Sequence, residues 1–116
     1  MINITGIDIH SYFVKELDRA VAFYRDKLGL KNVEGKHYEF ELPDGSVFGL
    51  YQPTPESGLT WMPGYGVMFA VDDAKAAAKA LQDNGVKIAN PFETPACYMA
   101  LGEDTECNHF IIHQRK

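Results

Sequence analysis

The chain carries one hydrophobic pattern twice. Leu17, Ala20, Val21, Tyr24 and Leu28 recur at helical spacing, and Gly29 follows as a stop. The arrangement returns with Ala74, Ala77, Ala78 and Leu81 on one helix face and Gly85 behind them. Acidic residues open each predicted helix (Glu16 and Asp18; Asp72 and Asp73), where carboxylates suit the helix dipole and can cap free N–H groups. Strand signals flank both helices. Ile7 to Val14 precedes the first; Lys31 to Val33, His37 to Leu42 and Val47 to Tyr51 follow it, with Pro43-Asp44-Gly45 as a hairpin turn. Tyr65 to Val71 precedes the second; Lys87 to Ala89, Cys97 to Leu101 and Phe110 to His113 follow it. Each half therefore reads β-α-β-β-β.

This pattern predicts an α+β fold in a single domain over residues 1–116, with module one at about 1–52, a linker at about 53–60 and module two at about 61–116. Helices on one face of each mixed sheet leave the other face free, and two such faces can curve around a shared cleft. A hydrophobic share of 46% against 23% charged residues is enough for a core without disulfide or metal staples. The net charge of -5 argues against nucleic acid, whose binding relies on Lys and Arg neutralising phosphates, and is compatible with a cationic small molecule. Cys97 and Cys107 lack CxxC spacing, so neither a disulfide scaffold nor a zinc knuckle is indicated, and a reduced cytoplasm is the expected compartment. Met1 to Gly6 has no basic stretch leading into a long apolar one, so no signal peptide is expected. No apolar run approaches the roughly 18 residues of a membrane span, so no membrane partner is expected either.

Four stretches carry a family resemblance: Val14-x-x-Leu17-Asp18-Arg19-Ala20-x-x-Phe23-Tyr24-Arg25-Asp26-x-Leu28-Gly29-Leu30; Phe69-x-Val71-Asp72-Asp73; Pro91-Phe92-Glu93-Thr94-Pro95; and Asp104-Thr105-Glu106-Cys107-Asn108, where relatives often carry Asp-Pro-Asp-Gly-Asn. With the paired modules, they make the chain resemble the vicinal oxygen chelate superfamily of glyoxalases, bleomycin-resistance proteins and extradiol dioxygenases. Metal-dependent members place one His, Gln or Glu on the first and last strand of each module. Carried over, those positions fall on Ile9, Gly49, Gly66 and Ile111, none of which ligates a cation through its side chain. A one-residue shift would bring His10 into place, but no histidine lies between residues 38 and 108, so the opening strand of module two offers no ligand in any register. The expectation is a chain without a metal or other cofactor; a different site using His109 and His113, four apart on one strand face, stays open. The resemblance also implies a homodimer with clefts built from modules of both chains.

If the ligand-bearing positions face the cleft, strand alternation adds Ser11 and Phe13, Val47 and Tyr51, Met68 and Ala70, and His109 and His113. Ser11, Phe13, Tyr51, Met68, His109 and His113, with the loop residue Trp61, are the candidate ligand-binding residues; Gly49 and Gly66 would leave open volume. Plainer roles compete. Phe13, Tyr51 and Met68 can be core, Trp61 a packing or dimer contact, and His113 a strand-end residue in solvent. This register turns His10 and Tyr12 toward the helices, which suits their polarity poorly. Glu39 and Glu41 form either an acidic wall or a solvated strand face. His113, whose ordinary pKa lies near 6.5, and Cys97 are the candidates for catalysis, although a buried structural thiol is the commoner role of a cysteine such as Cys97. The leading expectation is a metal-free protein holding a small organic molecule in an aromatic-lined cleft, like the bleomycin-resistance branch. The alternatives are a lyase, isomerase or oxygenase working through atypical residues such as His113, and a closed cleft with a role only in protein contacts.

Overall fold

In the computed structural model, which describes residues 1–116, each half of the repeat builds one mixed sheet. Strands β1 (His10–Phe13), β2 (Lys31–Val33), β3 (Lys36–Glu41) and β4 (Val47–Tyr51) lie in the order β1-β4-β3-β2. Strands β5 (Tyr65–Ala70), β6 (Lys87–Ile88), β8 (Cys97–Glu103) and β9 (His109–Arg115) lie in the order β5-β9-β8-β6, with β7 (Phe92–Glu93) paired to β8. β1 runs parallel to β4 and β5 parallel to β9, while the other pairs are antiparallel. Helix α1 (Leu17–Ala22) passes into a π-helical turn at Phe23–Lys27, and α2 (Ala74–Asp83) crosses the second sheet.

One helix serves both modules. Phe40 and Phe48 of the first sheet and Phe69 and Phe110 of the second all have ring centroids between 4.8 and 6.4 Å from that of Tyr24. Tyr24, Phe40, Phe48 and Phe110 are fully buried, so the molecule has a continuous core rather than two separate ones. Burying such a side chain contributes about 1.5–3 kcal/mol, and tilted ring pairs add to it. The sheet makes room for Phe110 at Gly102, where a Cβ would lie 2.4 Å from the ring.

A polar latch fastens the modules together, and it is the Asp104 to Asn108 stretch. Asp104 accepts from the backbone N–H groups of Glu106 and Asn108 at 2.7 and 3.0 Å and from the Tyr24 hydroxyl at 2.7 Å. The Asn108 amide donates to the Phe13 carbonyl at 3.1 Å and accepts from the Gly64 N–H at 2.6 Å. Glu106 accepts from the backbone N–H groups of Lys15 and Glu16, both at 2.7 Å, and from the Arg19 guanidinium. The start of α1 is thus capped from ninety residues away, whereas Glu16, the sequence candidate, makes no side-chain cap. Asp73 does cap α2, accepting from the Ala76 N–H at 3.0 Å.

Several boundaries differ from the sequence expectation. The first strand starts at His10 rather than Ile7 because His10 lies opposite Phe48, near the start of β4; earlier residues would run past the 43–45 turn, and Met1 to Ile9 are exposed. β8 and β9 are longer than expected, since their hairpin zips from Cys97 and Arg115 to Glu103 and His109. The two-residue β7 carries too little periodicity to read from sequence. Tyr12 does turn toward the helix side, where its hydroxyl accepts from the Val67 N–H at 2.9 Å and donates to the His109 carbonyl. Its polarity is satisfied at the seam between the modules.

Candidate functional site

The sheet faces away from the helices are where alternation directs the nominated residues. Across β1 and β4, Ser11 lies opposite Gly49 and Phe13 opposite Tyr51, with Glu39 beside Gly49 on β3. The Phe13 and Tyr51 rings are tilted with centroids 5.8 Å apart. Ile9, Ser11, Phe13, Glu39, Tyr51 and Leu59 line a hollow of about 270 Å³ on this face. Tyr51 is 40% exposed, so it is a wall of the hollow rather than core. Gly49 does not open the volume expected of it: the Ile9 side chain lies 3.0 Å from where its Cβ would stand. Gly66 does, because it forms a bulge at φ 108° and a Cβ there would meet nothing within 4 Å.

On the second sheet, Met68, Ile111 and Leu101 form one cross-strand row and Ala70, His113 and Met99 the next. His109 lies between Tyr65 and Glu103, with its ring 5.4 Å from that of Tyr65. Ser11 and Met68 meet in a second hollow of about 440 Å³ between the facing edges of β1 and β5. Cys97 is buried, with its Sγ 3.1 Å from Thr94 Oγ1, and lies opposite Arg115 rather than His113. Trp61 stands in the crossing segment between the sheets, with the Lys15 ammonium 4.1 Å from its ring centroid. Ser11, Phe13 and Tyr51 are therefore brought together, Met68 joins Ser11, His109, His113 and Cys97 stand in separate surroundings, and Trp61 lies outside both hollows, two residues beyond Leu59. Sequence reasoning missed Leu59, which sits in an irregular segment.

Two further hollows, of about 410 and 790 Å³, lie on the helix side, lined mainly by charged and amide residues. Their polar groups are largely paired within the chain: Lys27 donates to the Asn84 carbonyl, Lys87 meets Glu103 at 3.6 Å and Gln82 bonds Asn90.

The familial metal does not fit these residues. Ile9, Gly49, Gly66 and Ile111 present only methyl groups or hydrogens, and no three His, Cys, Asp or Glu side chains converge to hold an ion. His109 and His113 share a face, but four residues of strand separate their Cα atoms by about 13 Å.

The model of the Glyoxalase/Bleomycin resistance protein/Dioxygenase superfamily matches residues 6–102. The chain belongs to that superfamily. Solved structures with the same fold include TnmS3, an antibiotic binding protein from Streptomyces sp. CB03234, at 21% identity with full coverage of both chains and a TM-score of 0.79. A lactoylglutathione lyase from Agrobacterium tumefaciens matches at 19% identity over 97% of this chain and 95% of its own, with a TM-score of 0.78. A superfamily member from Sphaerobacter thermophilus matches at 22% identity over 96% and 98%, with a TM-score of 0.80. No curated protein matches the sequence significantly. Superfamily members thus include binders and enzymes, and identities this low establish the fold alone. The choice between those roles rests on this chain's residues.

Proposed function

We propose that this superfamily member binds a small organic molecule on the free faces of its sheets, without a metal. The observation that carries this reading is the aromatic hollow of Phe13 and Tyr51 beside familial ligand positions held by Ile9 and Gly49. Mostly apolar walls with a few polar groups, here the Ser11 hydroxyl and the Glu39 carboxylate, are the usual character of a small-molecule site. The likeness to an antibiotic binding protein fits this reading. An acid–base enzyme built on His113 finds less support, because the strand neighbours of His113 are Ala70 and Met99, which neither give nor take a proton.

The protein works as a homodimer in this reading. Ile2, Ile4 and Ile7 are each more than three-quarters exposed, and Tyr65 and Met68 add apolar surface of the kind a partner covers. The compartment is the cytoplasm, which suits two free cysteines.

The test is a titration with a panel of aromatic natural products, antibiotics among them, read by fluorescence of the single tryptophan. At least one compound is expected to bind one per chain at micromolar concentration, and Tyr51→Ala to weaken it by about tenfold through lost aromatic contact. A panel without a binder, or binding indifferent to Tyr51, would contradict the reading.

A further inference from the structure

Trp61 carries a buried side-chain polar atom, its indole Nε1, that finds no partner within the chain. Buried N–H groups are nearly always paired, and leaving one unpaired costs roughly 1–3 kcal/mol. The group nearest to hand cannot help. Lys15, an exposed side chain, lays its ammonium over the indole ring, and an ammonium, like an indole N–H, only donates. The acceptors that meet the Lys15 to Leu17 segment are engaged with other donors: Glu106 takes the N–H groups of Lys15 and Glu16 and the Arg19 guanidinium, Gln52 takes the Leu17 N–H at 3.0 Å, and the Glu16 carboxylate faces Arg19 at 3.5 Å. Two donors of different kinds therefore stand together, and neither hydrogen-bonds an acceptor of the chain.

Both come next along the chain from residues of the proposed site. Phe13 and Leu59 line the 270 Å³ hollow, and Lys15 and Trp61 each follow two residues further along the same two segments. The only carboxylate lining that hollow, Glu39, already faces the Lys36 ammonium at 3.9 Å.

We propose that Lys15 and Trp61 form an acceptor-binding subsite at the end of the hollow, so that the ligand is an aromatic molecule bearing a carboxylate or similar acidic oxygen. The inference rests on the binding function proposed above. The aromatic body lies against Phe13 and Tyr51, its oxygen takes the indole N–H, and the Lys15 ammonium swings from the ring face to pair with the charge. The net charge of -5 favours a cation in general, but exposed charges are screened beyond about 8 Å at physiological salt, so the adjacent donors decide.

Calorimetric titration with 2-naphthoate and with 2-naphthylmethylammonium, two probes with the same ring and opposite charge, tests this. The expected result is naphthoate binding at least about tenfold tighter than the cation, as a charge-assisted hydrogen bond warrants. Trp61→Phe keeps a ring and removes the N–H, and Lys15→Met keeps the stem and removes the charge. Each is expected to cut naphthoate affinity about tenfold without weakening the cation, and Lys15→Met, by removing a like charge, to tighten the cation. Equal or tighter binding of the cation, or naphthoate affinity indifferent to both substitutions, would overturn the subsite. If both probes bind equally and Tyr51→Ala weakens both, the binding function survives and only the acceptor subsite falls. If neither binds, the acceptor subsite falls, and the binding function is decided by the wider panel.

Discussion

Cys107 holds a backbone conformation that favours glycine. Its φ is 65°, it is the only non-glycine residue at positive φ, and its side chain is exposed. A side chain in the left-handed region costs about 1–2 kcal/mol, so Cys107→Gly is expected to raise stability by about 1 kcal/mol in urea denaturation, the entropy of the freer unfolded glycine taking back the rest. A loss of stability would mean that the thiol makes a contact of its own. Glu106 gives a second test at this scale. Burial pushes its carboxyl up, but the Arg19 guanidinium and the backbone N–H groups of Glu16 and Lys15 outweigh that and hold it below the usual carboxylate range. A depressed folded value means the stabilisation is full above the unfolded pKa, about 4.3, and is lost as pH falls through the folded value. Glu106→Gln is therefore expected to be less stable at pH 7, by about 1–3 kcal/mol, and to show a flatter acid limb below pH 5 in chemical denaturation. An unchanged acid limb would remove Glu106 from the latch.

Among elements, the β8–β9 hairpin is the one on which the rest converges. Its loop carries the latch, its Phe110 enters the shared core, and its outer residues form half of the free face. Gly102→Ala puts a methyl group against the Phe110 ring, and an overpacked core position of this kind costs about 1–3 kcal/mol. Thermal unfolding measures it; a neutral result would mean that the ring has room to move. The same hairpin marks what the sequence could and could not tell. Alternation was enough to turn Tyr12 inward and Phe13, Tyr51 and Met68 outward, because a regular stretch of strand has a two-residue period. The Glu106 cap on α1 was invisible, since nothing local links residues 106 and 16 and the stretch read only as an eroded family motif. The bulge at Gly66 was hidden as well, because a shift in pairing depends on the partner strand.

At the scale of the whole molecule, the continuous core around Tyr24 and the latch make one body of two modules, and the proposed binding site lies on their outer faces. Membership of the superfamily was legible in motifs that build this scaffold: Phe23, Tyr24 and Gly29 shape the helix and its end. The chemistry was legible only as a subtraction, in the residues at 9, 49, 66 and 111. Which nominated residues share a hollow was not, because that depends on how Leu59 and Trp61 cross the end of β1. The measurement that tests the central claim most directly is native mass spectrometry, with elemental analysis, of protein purified without an affinity tag or added metal. The expected result is a dimer without a stoichiometric transition metal, its mass that of the chains alone or of the chains with an organic molecule. One metal ion per chain would contradict the account and move the search for function to an unfamiliar ligand set around His109 and His113.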